Sequence, residues 1–105
     1  MDNIELAIEV DNLEQLIELF GSFDENVKAI EKETGANIFS RNTHVVITGR
    51  REDAELAKVV VDKLLGMIRK KESIDLSRIR YAVELAREGN ADAIEEIMTD
   101  VIAIT

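Results

Sequence analysis

Ile4, Leu6, Ile8 and Val10 alternate with Glu5, Ala7, Glu9 and Asp11, the period-two pattern of a β-strand with one face buried and the other wet. Such a strand needs sheet neighbours and an apolar layer over one face, so the rest of the chain must supply both. The period changes at once. In DNLEQLIELFG, residues Leu13, Leu16, Ile17 and Phe20 fall at i, i+3, i+4 and i+7, the apolar face of a first helix capped by Asp11 or Asn12 and stopped by Gly21.

The next stretch, GSFDENVKAIEKETGANI, sets Ser22 three residues before Glu25, the spacing of a capping box. Phe23, Val27 and Ile30 share a helical face, and Gly35 stands where a left-handed residue ends a helix. These residues predict a second helix over about 23 to 34, with Phe23 in the core. ANIFSRNTHVVITG then reads as two short strands, about 36 to 40 and 44 to 49, joined by Arg41, Asn42 and Thr43. From Glu52 the period is helical again: Ala57, Val60, Val61, Leu64 and Ile68 face one way, and Arg69, Lys70 and Lys71 place cations in the last turn, where the helix dipole favours them. Asp75 caps a further helix with Leu76, Ile79, Val83 and Ala86 inward, closed by Gly89. A last short helix is expected from Asn90 to about Met98, followed by the apolar, strand-like VIAIT.

With 105 residues, 46% of them hydrophobic, the chain can build one core and one domain. Its formal charge of −9 disfavours phosphate backbones and anionic membranes. Residues 1 to 35 carry ten acids against two bases, residues 36 to 74 five against eight, and residues 75 to 105 seven against three. An anion would therefore prefer the middle third. The absence of cysteine removes disulfides, thiolate metal sites and a cysteine nucleophile. No apolar run is long enough to span a bilayer, and the acidic start MDNIELAIE lacks the basic region of a signal peptide. The expected compartment is the cytoplasm, with no membrane partner.

The order strand, helix, helix, strand, strand, helix, with Gly21 between the first two helices and Gly35 and Gly49 closing later elements, looks like a type I KH domain. More specifically, FGSFDENVKAIEKETGANIFSRNTHVVITG resembles the KH-like N-terminal region of PhoH-family proteins, the phosphate-starvation-inducible ATPases of bacteria. FDEN after Gly21, the pair Ile30 and Glu31 after Lys28, Thr34 with Gly35, and Ile47, Thr48 and Gly49 carry the match. The resemblance covers residues 4 to 70, and the acidic stretch ending in DVIAIT is similar to the family's lead-in to its ATPase domain. It implies an α+β fold, a three-stranded antiparallel sheet packed by helices, with extra C-terminal helices. It also implies a KH-like domain over residues 1 to 73 and a helical extension over 74 to 105 leading toward a P-loop ATPase domain. ATP and Mg would belong to that domain. The chain itself contains no G-x-x-x-x-G-K-[ST], and Gly49, Arg50 and Arg51 lack the Lys-Ser/Thr pair that cradles phosphate. We therefore expect an N-terminal piece without enzyme activity or cofactor of its own, an expectation to which the unfinished look of VIAIT adds.

A KH domain that binds single-stranded nucleic acid grips the backbone with a G-x-x-G loop feeding a helix N-terminus. The matching tetrad here is Gly21, Ser22, Phe23 and Asp24, so a carboxylate replaces the second glycine. The expectation is a loop filled from inside, with Asp24 and Glu25 satisfying the first-turn N–H groups and repelling phosphate. The candidate nucleic-acid residues are Gly21, Ser22, Phe23, Asp24, Lys28 and Arg41, the last in the hairpin bordering the groove in KH-like folds. Lys32, Arg50 and Arg51 read as solvated surface charges. His44 has no second histidine or cysteine with which to share a metal. Asp92, Glu95, Glu96 and Asp100 read as a solvated acidic face, because the alternating ligands and glycine turn of a calcium loop are missing. The expected role is an accessory or regulatory domain partnered with its own ATPase domain. The alternatives are a weak RNA-presenting module and a homo-oligomerisation domain.

Overall fold

The structure is a computed structural model that describes residues 3 to 90. The expected helix after Asn90, the VIAIT piece and the four acids from Asp92 to Asp100 lie outside the described residues. Within them the order is β1 (Asn3–Glu9), α1 (Leu13–Phe20), α2 (Glu25–Thr34), β2 (Asn37–Arg41), β3 (His44–Arg50), α3 (Arg51–Arg69) and α4 (Leu76–Arg87). Ser22–Asp24 forms a single tight turn between α1 and α2. The mixed α+β architecture and the element order are those expected.

The three strands form one antiparallel sheet in the order β1-β3-β2. Leu6 pairs with Ile47, which in turn pairs with Ile38, so the even-numbered apolar positions of β1 and β2 share a face with Val45 and Ile47. That face joins the core together with Val60, Val61, Leu64 and Ile68 of α3 and Val27 and Ile30 of α2. Ile79, Ala82, Val83 and Leu85 of α4 belong to the same cluster. On the other face of the sheet Glu5, Ala7, Glu9, Asn37, Phe39 and Arg41 are exposed, as the alternation requires.

Two helices start as their sequences predict. Asn12 Oδ1 accepts from the Gln15 N–H at 3.0 Å, and Asp75 Oδ1 accepts from the Arg78 N–H at 2.8 Å. The inward face of α1 differs from expectation: Leu16 and Leu19 are buried, whereas Leu13 and Ile17 are each 61% exposed. Five of the eight α1 residues are large and apolar, so the stripe is wide enough to be turned either way. Packing against α3 and α2 selects the side carrying Leu19.

Candidate functional site

The junction of α1 and α2 is built around Gly21. Its φ of 77° and ψ of −179° lie in a region essentially restricted to glycine. A Cβ added there would fall 2.6 Å from Asn26 Nδ2. Asn26 cannot easily retreat, because it is buried and its Nδ2 donates to the Glu18 carbonyl at 3.1 Å. One side chain thus pins the end of α1 to the start of α2, and Gly21 makes room for it.

After Gly21 the backbone turns left-handed. Phe23 has φ 54° and ψ 31°, Asp24 has φ 60° and ψ 23°, and the Glu25 N–H closes the turn onto the Ser22 carbonyl. Two consecutive positive φ angles are the signature of a type I′ turn, which prefers Asn and Gly. Asp tolerates the conformation, whereas for a bulky residue such as Phe it is an outlier costing about 1–2 kcal/mol. The expected capping box does not form: α2 begins at Glu25, and no side chain bonds the N–H groups at its start. The left-handed turn carries Ser22 away from the position it would need. It also throws Phe23 outward, so that this ring is 94% exposed rather than packed on Val27.

Beside the turn opens a cleft of about 640 Å³ between the end of α1 and the segment leading into α4. Its lining includes the carboxylate residues Glu18, Glu25 and Asp75 and the hydroxyl residues Ser22, Ser73 and Ser77, with no Lys, Arg or His. A phosphate there would share the cleft with three carboxylate residues.

The six sequence candidates fall into two groups. Gly21, Ser22, Phe23, Asp24 and the exposed Lys28 belong to the turn and the first half of α2. Arg41 is the last residue of β2 and lies on the sheet face turned away from the helices, not in a hairpin loop beside the turn. Its guanidinium carbon stands 5.6 Å from the centre of the Phe39 ring, and Nη1 is 3.8 Å from Glu5 Oε2. The same face carries His44, with Nε2 3.8 Å from Glu9 Oε2. Among the described residues no group of three or more His, Cys, Asp or Glu is arranged to hold a metal ion, and no helix is long and apolar enough to cross a membrane.

A three-stranded antiparallel sheet with helices on one face, two of them joined through a glycine turn, defines an α+β domain of KH-like type. No family model matches the chain. It is 28% identical over 91 residues to a PhoH-like protein of Bacillus subtilis, covering 87% of this chain and 28% of that protein. A PhoH-like protein of Mycobacterium tuberculosis is 28% identical over 89 residues, covering 84% of this chain and 25% of that protein. The Mycobacterium leprae protein of the same name is 26% identical over 88 residues. The chain is thus similar to one part of the PhoH-like proteins, and it spans about a quarter of their length. Among solved structures, a protein of unknown function from Aeropyrum pernix superposes with a TM-score of 0.64 at 19% identity, over 95% of this chain and 55% of that one. This second likeness supports the fold alone.

Proposed function

We propose that this chain is the accessory domain of a PhoH-like, ATP-binding protein of the cytoplasm, one that positions or regulates a separate P-loop domain and does no chemistry itself. The observation that carries this reading is the cleft beside the glycine turn, lined by Glu18, Glu25 and Asp75 and by no basic residue, with Arg78 Nη1 bonded at 2.8 Å to the carbonyl of the lining residue Ser73. A groove evolved to hold a nucleic-acid backbone derives much of its affinity from phosphate neutralisation. Here that contribution would be repulsive. The similarity to about a quarter of the length of the PhoH-like proteins supplies the larger context, and ATP with Mg would be bound outside the sequence described.

A second reading, a weak single-stranded RNA module, draws support from a different feature. The first turn of α2 has no side-chain cap, and the exposed Phe23 ring beside it could stack on a base. The two readings separate in a titration of the protein with fluorescent mixed-sequence single-stranded RNA at low and physiological salt, alongside Asp24→Gly and Lys28→Glu. The accessory reading predicts no binding by the wild type at physiological salt. Micromolar binding that weakens with salt and is lost in Lys28→Glu would replace it with the RNA reading.

A further inference from the structure

The sheet has two edges, and they are finished differently. At β2, the Ile38 N–H points away from β3 and donates to Glu31 Oε2 at 2.8 Å. Alternate residues of a strand direct their backbone groups to opposite edges. Asn37, Phe39 and Arg41 therefore bond β3, and Val45, Ile47 and Gly49 are left to bond β1. Their partners are Ile8, Leu6 and Ile4. The same parity follows independently from the other end, where the Val10 N–H donates to the Thr43 carbonyl at 2.9 Å. Asn3, Glu5, Ala7 and Glu9 consequently turn their N–H and C=O groups outward along the whole of β1. Among the described residues no other backbone or side chain is bonded to these groups. This is a seven-residue edge without proline, whose core-side residues Ile4, Leu6 and Ile8 are only partly buried. Edges of this kind are templates for strand pairing.

We propose that two copies of this chain associate through β1, antiparallel about a two-fold axis at Leu6, into a continuous six-stranded sheet. An outward residue must face an outward residue, so the axis has to pass through a residue of the strand. An axis at Glu5 would set that carboxylate against its own copy, and an axis at Ala7 would set Glu5 against Glu9 of the second copy. An axis at Leu6 opposes Glu5 to Ala7 and Asn3 to Glu9, which leaves no like charges face to face. It also places Ile4 beside Ile8 of the second copy and Leu6 beside Leu6, closing the partly buried stripe on both sides. Arg41, 3.8 Å from Glu5, tempers the remaining charge. The surface goes beyond the accessory role proposed above and does not require it.

Sedimentation equilibrium over a concentration series tests the proposal with the wild type, Ala7→Glu and Ala7→Lys. Ala7 is exposed, and circular dichroism melts confirm that each variant folds. The wild type is expected to dimerise, more tightly at high salt because each copy carries a formal charge of −9. Ala7→Glu faces Glu5 twice per dimer and should weaken association by about tenfold or more, whereas Ala7→Lys should strengthen it. The chain has no cysteine, so mixing Glu5→Cys chains with Ala7→Cys chains under oxidation reads the register directly as a disulfide between unlike chains. A wild type that stays monomeric to millimolar concentration overturns the proposal. So does a dimer indifferent to both Ala7 charges, or a mixture in which the disulfide-linked heterodimer is in no excess over either homodimer.

Discussion

The two ends of α2 are joined to the rest of the molecule by opposite means. At the C-terminus Gly35 takes the left-handed φ of 86° that a helix stop requires, and its N–H bonds the Glu31 carbonyl. The Thr34 hydroxyl donates to the Ile30 carbonyl at 2.7 Å and accepts from the Ala36 N–H at 3.2 Å, while the Glu31 carboxylate takes the Ile38 N–H. Every device there lowers free energy. At the N-terminus a buried Asn26 clamps the helix ends together, yet the turn beside it puts a Phe into a left-handed conformation and leaves it in water. Strain retained next to a rigid anchor is a mark of selection for something other than stability. Strained residues of this kind cluster at functional sites, so the start of α2 is the end whose role mutation should test.

The sharpest way to break this comparison is to fill the glycines. Gly21→Ala must leave a backbone region that only glycine occupies and must displace Asn26 from the Glu18 carbonyl, since the new Cβ lies 2.6 Å from its Nδ2. The expected loss is about 2–4 kcal/mol by urea denaturation, combining backbone strain with a broken buried hydrogen bond. Gly35→Ala meets only the Asp53 carboxylate, at 3.0 Å. That side chain can swing aside, so the cost reduces to the left-handed penalty of about 1–2 kcal/mol. Equal losses at the two sites would mean that Asn26 is not the rigid clamp described.

Much of this was legible in the residues, and the failures have physical causes. Strand β1 followed from alternation, α3 from its apolar face, the starts of α1 and α4 from Asn12 and Asp75, and the stop at Gly35 from glycine's tolerance of positive φ. Each of these is a local preference that tertiary packing reinforces. The spacing of Ser22 and Glu25 misled because it presumes a right-handed approach to the helix, and a local reading of Phe23, i−4 from Val27, presumes the same. A left-handed turn of two non-glycine residues is disfavoured by the residues themselves, so only the anchoring of Asn26 on Glu18 reveals it. Arg41 was misplaced for a related reason: a two-residue hairpin with Asn42 at φ 57° ends β2 one residue later than the sequence suggested. The extra strand residue fixes Arg41 by parity to the face opposite the helices.

The smallest effect is also the one that separates stability from function at the start of α2. Phe23→Asn removes a ring that is 94% exposed and so gives up almost no buried surface, while Asn adopts positive φ far more readily than Phe. The variant should be more stable than the wild type, by about 0.5–1 kcal/mol, because the relief of strain is partly offset by other costs in the turn. An increase in the denaturation midpoint with an unchanged slope is the signature expected of a change confined to this turn. A loss of stability instead would show that the ring makes contacts that offset its conformation, and the strain at Phe23 would then need no functional cause. A gain would leave the wild-type chain carrying a destabilising, 94% exposed aromatic at this turn, a cost that cover of the ring by a partner would account for.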